Sequence, residues 1–150
     1  VWDYPRPPDV RPSDEHVVVI HLGVTIADSH RAVRVCETSQ APAYYLPVDD
    51  VAVHHLVRSE RRSYCEWKGA ATYWSVQVGD VVVPDAAWSY ESPTPPYRSI
   101  TGYLAFYAQK LDECRVDGEL VEPNAGGFYG GWVTSRVAGP FKGAPGTHGW

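Results

Sequence analysis

The sequence predicts a mainly β protein, and three observations carry that expectation. β-branched and aromatic residues gather in short runs. Glycine-based turn dipeptides separate those runs. Helical spacing competes in only two segments, Pro47–Leu56 and Ile100–Leu111.

The elements follow in chain order. The first fifteen residues hold four prolines and should lie extended along the surface, anchored by Trp2 and Tyr4. His16–Ile20 is β-rich, and Gly23 allows a tight turn into Val24–Ala27, a first hairpin. Ala32–Cys36 reads as a third strand, and Pro42–Pro47 holds Tyr44 and Tyr45 extended between prolines. Pro47–Leu56 is a short-helix candidate that Asp49 or Asp50 could cap, although Val53 and Val57 favour a strand from Val53 on. Ala71–Val78 and Val81–Tyr90 flank Gly79-Asp80 as a hairpin, with Pro84 marking an edge or a bulge. Ile100–Leu111 leans to strand on its aromatic content, and Asp117-Gly118 signals a further hairpin. The tail from Pro123 is glycine-rich, but Phe128, Tyr129, Trp132, Phe141 and Trp150 should pack it on the domain.

Composition bounds the function. The chain has 150 residues, enough for one domain with a core and no disulfide staples. Its net charge is −5, which argues against non-specific nucleic-acid binding driven by phosphate neutralisation. Arg58, Arg61 and Arg62 form the one compact basic cluster and read as a solvated turn. Three widely spaced cysteines fit neither a secreted disulfide framework nor a zinc site. Neither a signal-peptide pattern nor a membrane-length apolar run occurs, so a cytoplasmic location with reduced thiols and no membrane partner is expected. Two antiparallel edges and an aromatic tail make a homodimer plausible.

If Gly79-Asp80 is a two-residue loop, Val78 faces Val81, Trp74 faces Asp85, Ala71 faces Trp88 and Gly69 faces Tyr90. Alternation then puts Trp74, Val76, Val78, Val81 and Val83 on one face, the core. Tyr73, Ser75, Trp88 and Tyr90 take the other face, with room beside the rings at Gly69 and Ala71. Such a surface can accept a planar or apolar ligand, or it can be a cross-strand ladder covered by the tail.

Chemistry concentrates at the strand entry. Cys65 precedes Lys68 by three residues, and an ammonium nearby favours the thiolate. Lys68 could instead pair with Glu37 or anchor an anionic group, and Glu37 could act as a general base. His54 and His55 could approach Cys65 only through the fold. Histidine spacing supports no metal site, and the glycines form no phosphate cradle, so neither metal nor cofactor is expected.

The runs C-E-W-K-G-A-A-T-Y-W-S-V and A-A-W-S-Y, together with V-C-E-T-S, Y-Y-L-P-V-D-D-V and Y-L-A-F-Y, resemble a bacterial family known as domain of unknown function 427. They cover most of residues 31–112 in the family's order. The resemblance implies a β-tent: two antiparallel sheets meeting at an angle, with one or two short helices. Relatives of that architecture often bind zinc through two cysteine pairs, which this chain lacks. They hold ligands in a pocket on one sheet, in one case a cage of tryptophans. By that likeness Trp67, Trp74, Trp88, Tyr73 and Tyr90 become ligand-binding candidates, with Tyr45 beside them. Trp74 is the least favoured, because the register puts it on the core face. The family's nucleotidyltransferase-like label finds no support in a Gly-Ser element or paired acidic metal ligands. On a strand the adjacent Asp49 and Asp50 would point to opposite faces.

Three readings stay open. The first is a small-molecule-binding domain with an aromatic pocket and a Cys65/Lys68 pair. The second is a cysteine-dependent enzyme acting on a small carbonyl or anionic substrate. The third is a structural or protein-interaction domain whose aromatics are core.

Overall fold

β-branched and aromatic residues fit the pleated, half-buried surface of a strand. The chain uses them to build several antiparallel sheets, a β-rich arrangement consistent with a tent-like fold. The computed structural model describes residues 9–36, 42–65, 68–123 and 131–135. The expectations for Trp2, Tyr4, Phe128, Tyr129, Phe141 and Trp150 lie outside the described residues.

β1 (Asp9–Pro12), β4 (Val33–Cys36) and β5 (Ala43–Tyr45) make a three-stranded sheet in the order β1-β4-β5. β2 (Val17–His21) and β3 (Val24–Ser29) form the hairpin expected at Gly23, which takes the left-handed φ of 75°. β10 (Glu113–Val116) and β11 (Glu119–Leu120) turn at Asp117-Gly118 and complete the sheet β11-β10-β2-β3. β6 (Leu56–Cys65), β7 (Gly69–Val78), β8 (Val81–Ser89) and β9 (Leu104–Phe106) form the third sheet in sequence order. β12 (Glu122–Pro123) pairs with β13 (Trp132–Val133). Reciprocal 2.8 Å backbone hydrogen bonds between Leu46 and Leu104 join the end of β5 to the start of β9.

The helix considered over Pro47–Leu56 is not there. Two short 3-10 turns, Val48–Asp50 and Val53–His55, occupy it. Val51 between them is extended and bridges to Ala27, in keeping with its β-branched side chain. Asp50 caps no helix. It accepts hydrogen bonds from the Ser29 hydroxyl at 2.7 Å and from the Arg31 guanidinium. Those donors hold its carboxyl below the usual carboxylate range.

The β7–β8 register is as expected from Val78–Val81 to Val76–Val83 and then departs. Trp74 faces Ala87 rather than Asp85, and Trp88 faces Tyr73 rather than Ala71. Two extra residues of β8 are absorbed near Pro84 and Asp85. Proline has no N–H to give the ladder, and Asp85 takes a φ of 51°, which Asp tolerates better than most residues. The Asp85 N–H donates to Ser75 Oγ at 3.3 Å, the Ser59 hydroxyl donates to Asp85 Oδ1, and Lys110 Nζ donates to both freed carbonyls. A matching irregularity in β6 falls between Arg58 and Arg62. Because each shift is by an even number of residues, every side chain keeps its face.

Both faces of this sheet are covered. Val76, Ala87, Leu104 and Phe106 pack in a first core with Val17, Val19, Ile26 and Leu46. Trp132 joins them, with its ring stacked on Tyr44 and its indole N–H donating to the Phe106 carbonyl at 2.9 Å. Tyr73, Trp88, Tyr90, Tyr45, Tyr97 and Tyr107 form a second, aromatic core with Ala71 and Ile100. No helix among the described residues is long and apolar enough to cross a membrane.

Candidate functional site

Alternation along β7 and β8 sends Tyr73, Trp88 and Tyr90 into the second core, where they are almost fully buried. The polar tips of Trp88 and Tyr73 are hydrogen-bonded. The Trp88 indole N–H donates to the Tyr45 hydroxyl at 3.0 Å, and the two rings meet edge to face at 6.0 Å. Trp88 also packs against Tyr107 at 4.6 Å, and the Tyr73 and Ser63 hydroxyls share a 2.8 Å hydrogen bond. Burial raises the Tyr107 phenol far above its ordinary range, and neighbouring Tyr73 adds to this. The four residues Tyr45, Tyr73, Trp88 and Tyr90 are therefore packed on one another, the arrangement of a ring ladder.

Cys65 and Lys68 flank residues 66–67 at the end of the β6–β7 hairpin. Cys65 is half-buried against the second core, whereas Cys36 and Cys114 are buried. Burial pushes the Cys114 thiol up to about 12. Lys68 is only 5% exposed, so it is not a solvated surface lysine, and its ammonium lies 5.8 Å from the Tyr90 ring centre. Its carbonyl accepts from the Thr94 N–H at 3.0 Å, closing residues 92–94 over Gly69. Trp67 and Glu37 lie outside the described residues. His54 and His55 do not approach Cys65. His55 bonds to the Gln77 carbonyl beside the Gly79-Asp80 turn, whereas Cys65 pairs with Gly69 at the other end of β7, about 25 Å away at strand rise.

Among the described residues, Trp74 has open space against it. It lines a cavity of about 250 Å³ with Val48, Val53, Leu56, Ser89, Glu91, Gly102 and Leu104. Each wall has a local cause. The two 3-10 turns present Val48 and Val53, which stay roughly half exposed. Gly102 takes a φ of 72°, and its N–H donates to the Tyr90 carbonyl, folding the chain back toward β9. The Trp74 indole N–H donates to the hydroxyl of buried Ser89 at 3.0 Å, which fixes the ring. Glu91 is the one ionisable residue in the lining.

Arg58 is the cross-strand partner of Trp74 on β6, so the two side chains share a face. Its guanidinium lies 5.8 Å from the Trp74 ring centre and 3.7 Å from Glu91. Arg61 lies 4.4 Å from the Tyr73 ring centre. The basic cluster is exposed, as expected, but lies on an edge strand rather than a turn, with Arg58 and Arg61 set near rings. Sequence reasoning missed Arg58, Glu91, Val48, Val53, Leu56, Ser89, Gly102 and Leu104 as neighbours of a site. The available signal was Arg58 itself, since pairing β6 with β7 puts it beside Trp74.

Among the described residues, no three His, Cys, Asp or Glu side chains are grouped to hold a metal ion. A family model described as Domain of unknown function (DUF427) matches residues 9–117. The chain belongs to that family. The matched span runs from β1 to the end of the β10–β11 turn's first residue and takes in every residue lining the Trp74 cavity. A comparison of this DUF427 chain with curated proteins gives no match.

Proposed function

We propose that this DUF427 protein is a small-molecule-binding domain whose ligand sits against Trp74. One observation carries the reading: an apolar cavity of about 250 Å³ is walled by a tryptophan ring held in place by a buried serine. Ligand sites are mostly apolar concavities with a few placed polar groups, and this one combines Val48, Val53, Leu56 and Leu104 with a single carboxylate. Its volume lies just under the usual range for ligand pockets, which suits a compound of about one ring. Cys65 and Lys68 border the aromatic core rather than this cavity, so the ligand reading does not depend on them.

The test is a titration of the full chain with single-ring compounds, followed by the NMR signal of the Trp74 indole N–H and assigned with Trp74→Phe. Saturable shifts at Trp74 that leave the Trp88 indole unmoved support the reading. Shifts confined to Trp88 would move the site to the second core.

A second reading, a cysteine-dependent enzyme acting through Cys65, is favoured by the partial exposure of that thiol beside two buried ones. It predicts that Cys65→Ala abolishes an activity while leaving Trp74 titrations unchanged.

A further inference from the structure

A cation already touches two of the residues that line the Trp74 cavity. Arg58 places its guanidinium over the Trp74 ring and beside the Glu91 carboxylate, and both of those groups line the cavity. A ring face and a carboxylate are the two elements that recognise an organic cation on an apolar body. Within the lining they face no competing positive charge, because every other lining residue is neutral.

The Arg58–Glu91 pair is open to replacement. The nitrogen–oxygen separation is 3.7 Å, long for a charge-assisted hydrogen bond, and the side chains are 53% and 45% exposed. Exposed pairs of this kind contribute little to folding. Arg58 also sits on an edge strand, beside an irregularity in its pairing, where a side chain can swing out without breaking a central ladder.

We propose that the cavity selects a small organic cation, an ammonium or guanidinium group carried on a compact apolar skeleton, and that Arg58 stands in for that group when the site is empty. This rests on the cavity being the ligand site. The apolar body lies among Val48, Val53, Leu56 and Leu104. The cationic head displaces Arg58 from Trp74 and Glu91. No covalent step is involved.

Three probes of one size separate the possibilities: benzylammonium, benzyl alcohol and benzoate, each titrated against the full chain at neutral pH while the Trp74 indole N–H signal is followed. The proposal predicts that benzylammonium binds about fivefold or more tightly than benzyl alcohol, with benzoate weakest. Glu91→Gln should erase that preference while benzyl alcohol still binds. Arg58→Ala should tighten benzylammonium by up to about fivefold by removing the resident competitor. Benzyl alcohol titration of each variant verifies that the cavity survives the substitution. Equal binding of all three probes, or weaker benzylammonium binding in Arg58→Ala, would overturn the cation assignment and leave the cavity standing. No shift of Trp74 with any probe would overturn the cavity reading itself.

Discussion

Trp88→Ala separates a packed ring from a ligand-caging ring. Trp88 is 7% exposed, faces Tyr73 across the β7–β8 pair, and touches Tyr107 and Tyr45. Removing a buried indole costs about 3–5 kcal/mol through lost transfer energy and the cavity left behind. The two ring contacts account for about 0.5–1.5 kcal/mol each within that total, and the Tyr45 hydrogen bond for about 1 kcal/mol. We take about 4 kcal/mol as the expected loss. With a urea slope near 2 kcal/mol per molar, the midpoint falls by about 2 M. Trp74→Ala removes a ring bordering open space and should cost about 1–2 kcal/mol. The assay is urea unfolding of both variants beside the parent, read by circular dichroism because each substitution removes a fluorophore. A loss below about 1 kcal/mol for Trp88→Ala at unchanged slope would refute the second core and return Trp88 to the set of cage residues.

Other outcomes follow from the same geometry. Iodoacetamide at pH 8 should label Cys65 first on the folded protein, with Cys36 and Cys114 labelled only as fast as the chain opens; mass spectrometry after brief exposure reads the order. The Cys114 thiol is raised from 9.0 to about 12 by burial, so its neutral form is favoured by folding. Its contribution is complete below about pH 8.5 and is lost as pH rises toward 12, and Cys114→Ser should flatten that limb of the stability–pH curve. Asp50 has a depressed carboxyl, so its contribution is present above about pH 4 and is lost as pH falls through its folded value. Asp50→Asn should therefore lower the denaturation midpoint at pH 7, and urea scans at successively lower pH should show that effect shrinking as the carboxyl becomes protonated. Gly69→Ala should cost about 1–3 kcal/mol, because the backbone there holds a φ of 106°, a conformation that L side chains rarely adopt.

Much of the fold was legible because local chemistry decides it. Gly23, Gly79-Asp80 and Asp117-Gly118 each mark a turn that the structure contains, and period-two alternation assigned Trp74 and Trp88 to opposite faces. Pro84 signalled a bulge but not its size. The extra length depends on Asp85 reaching Ser59 and Ser75, which lie on neighbouring strands. The Val48–His55 turns were misread because Asp49 and Asp50 look like caps, while Ser29 and Arg31 claim Asp50 through the tertiary fold. The site was harder still. Its lining comes from the two 3-10 turns, the β6 entry, β7, β8 and Glu91 just after it, the Gly102 turn and the start of β9, and none of these carries a chemical motif. Aromatic density drew attention to Trp88 and Tyr90, yet such density is what a ring-filled core requires. The register made Trp74 the least favoured of the ligand-binding candidates, as a core-face residue. It is on that face, but at the position where the turns and Gly102 leave the core unfilled.

The most direct measurement is a crystal structure of the full chain soaked with a single-ring compound, benzylammonium first. The account predicts density for the ring against Trp74 and Leu104, with the ammonium beside Glu91 and Arg58 turned away. Density seated instead against Trp88 and Lys68 would contradict it and make the aromatic core the binding site.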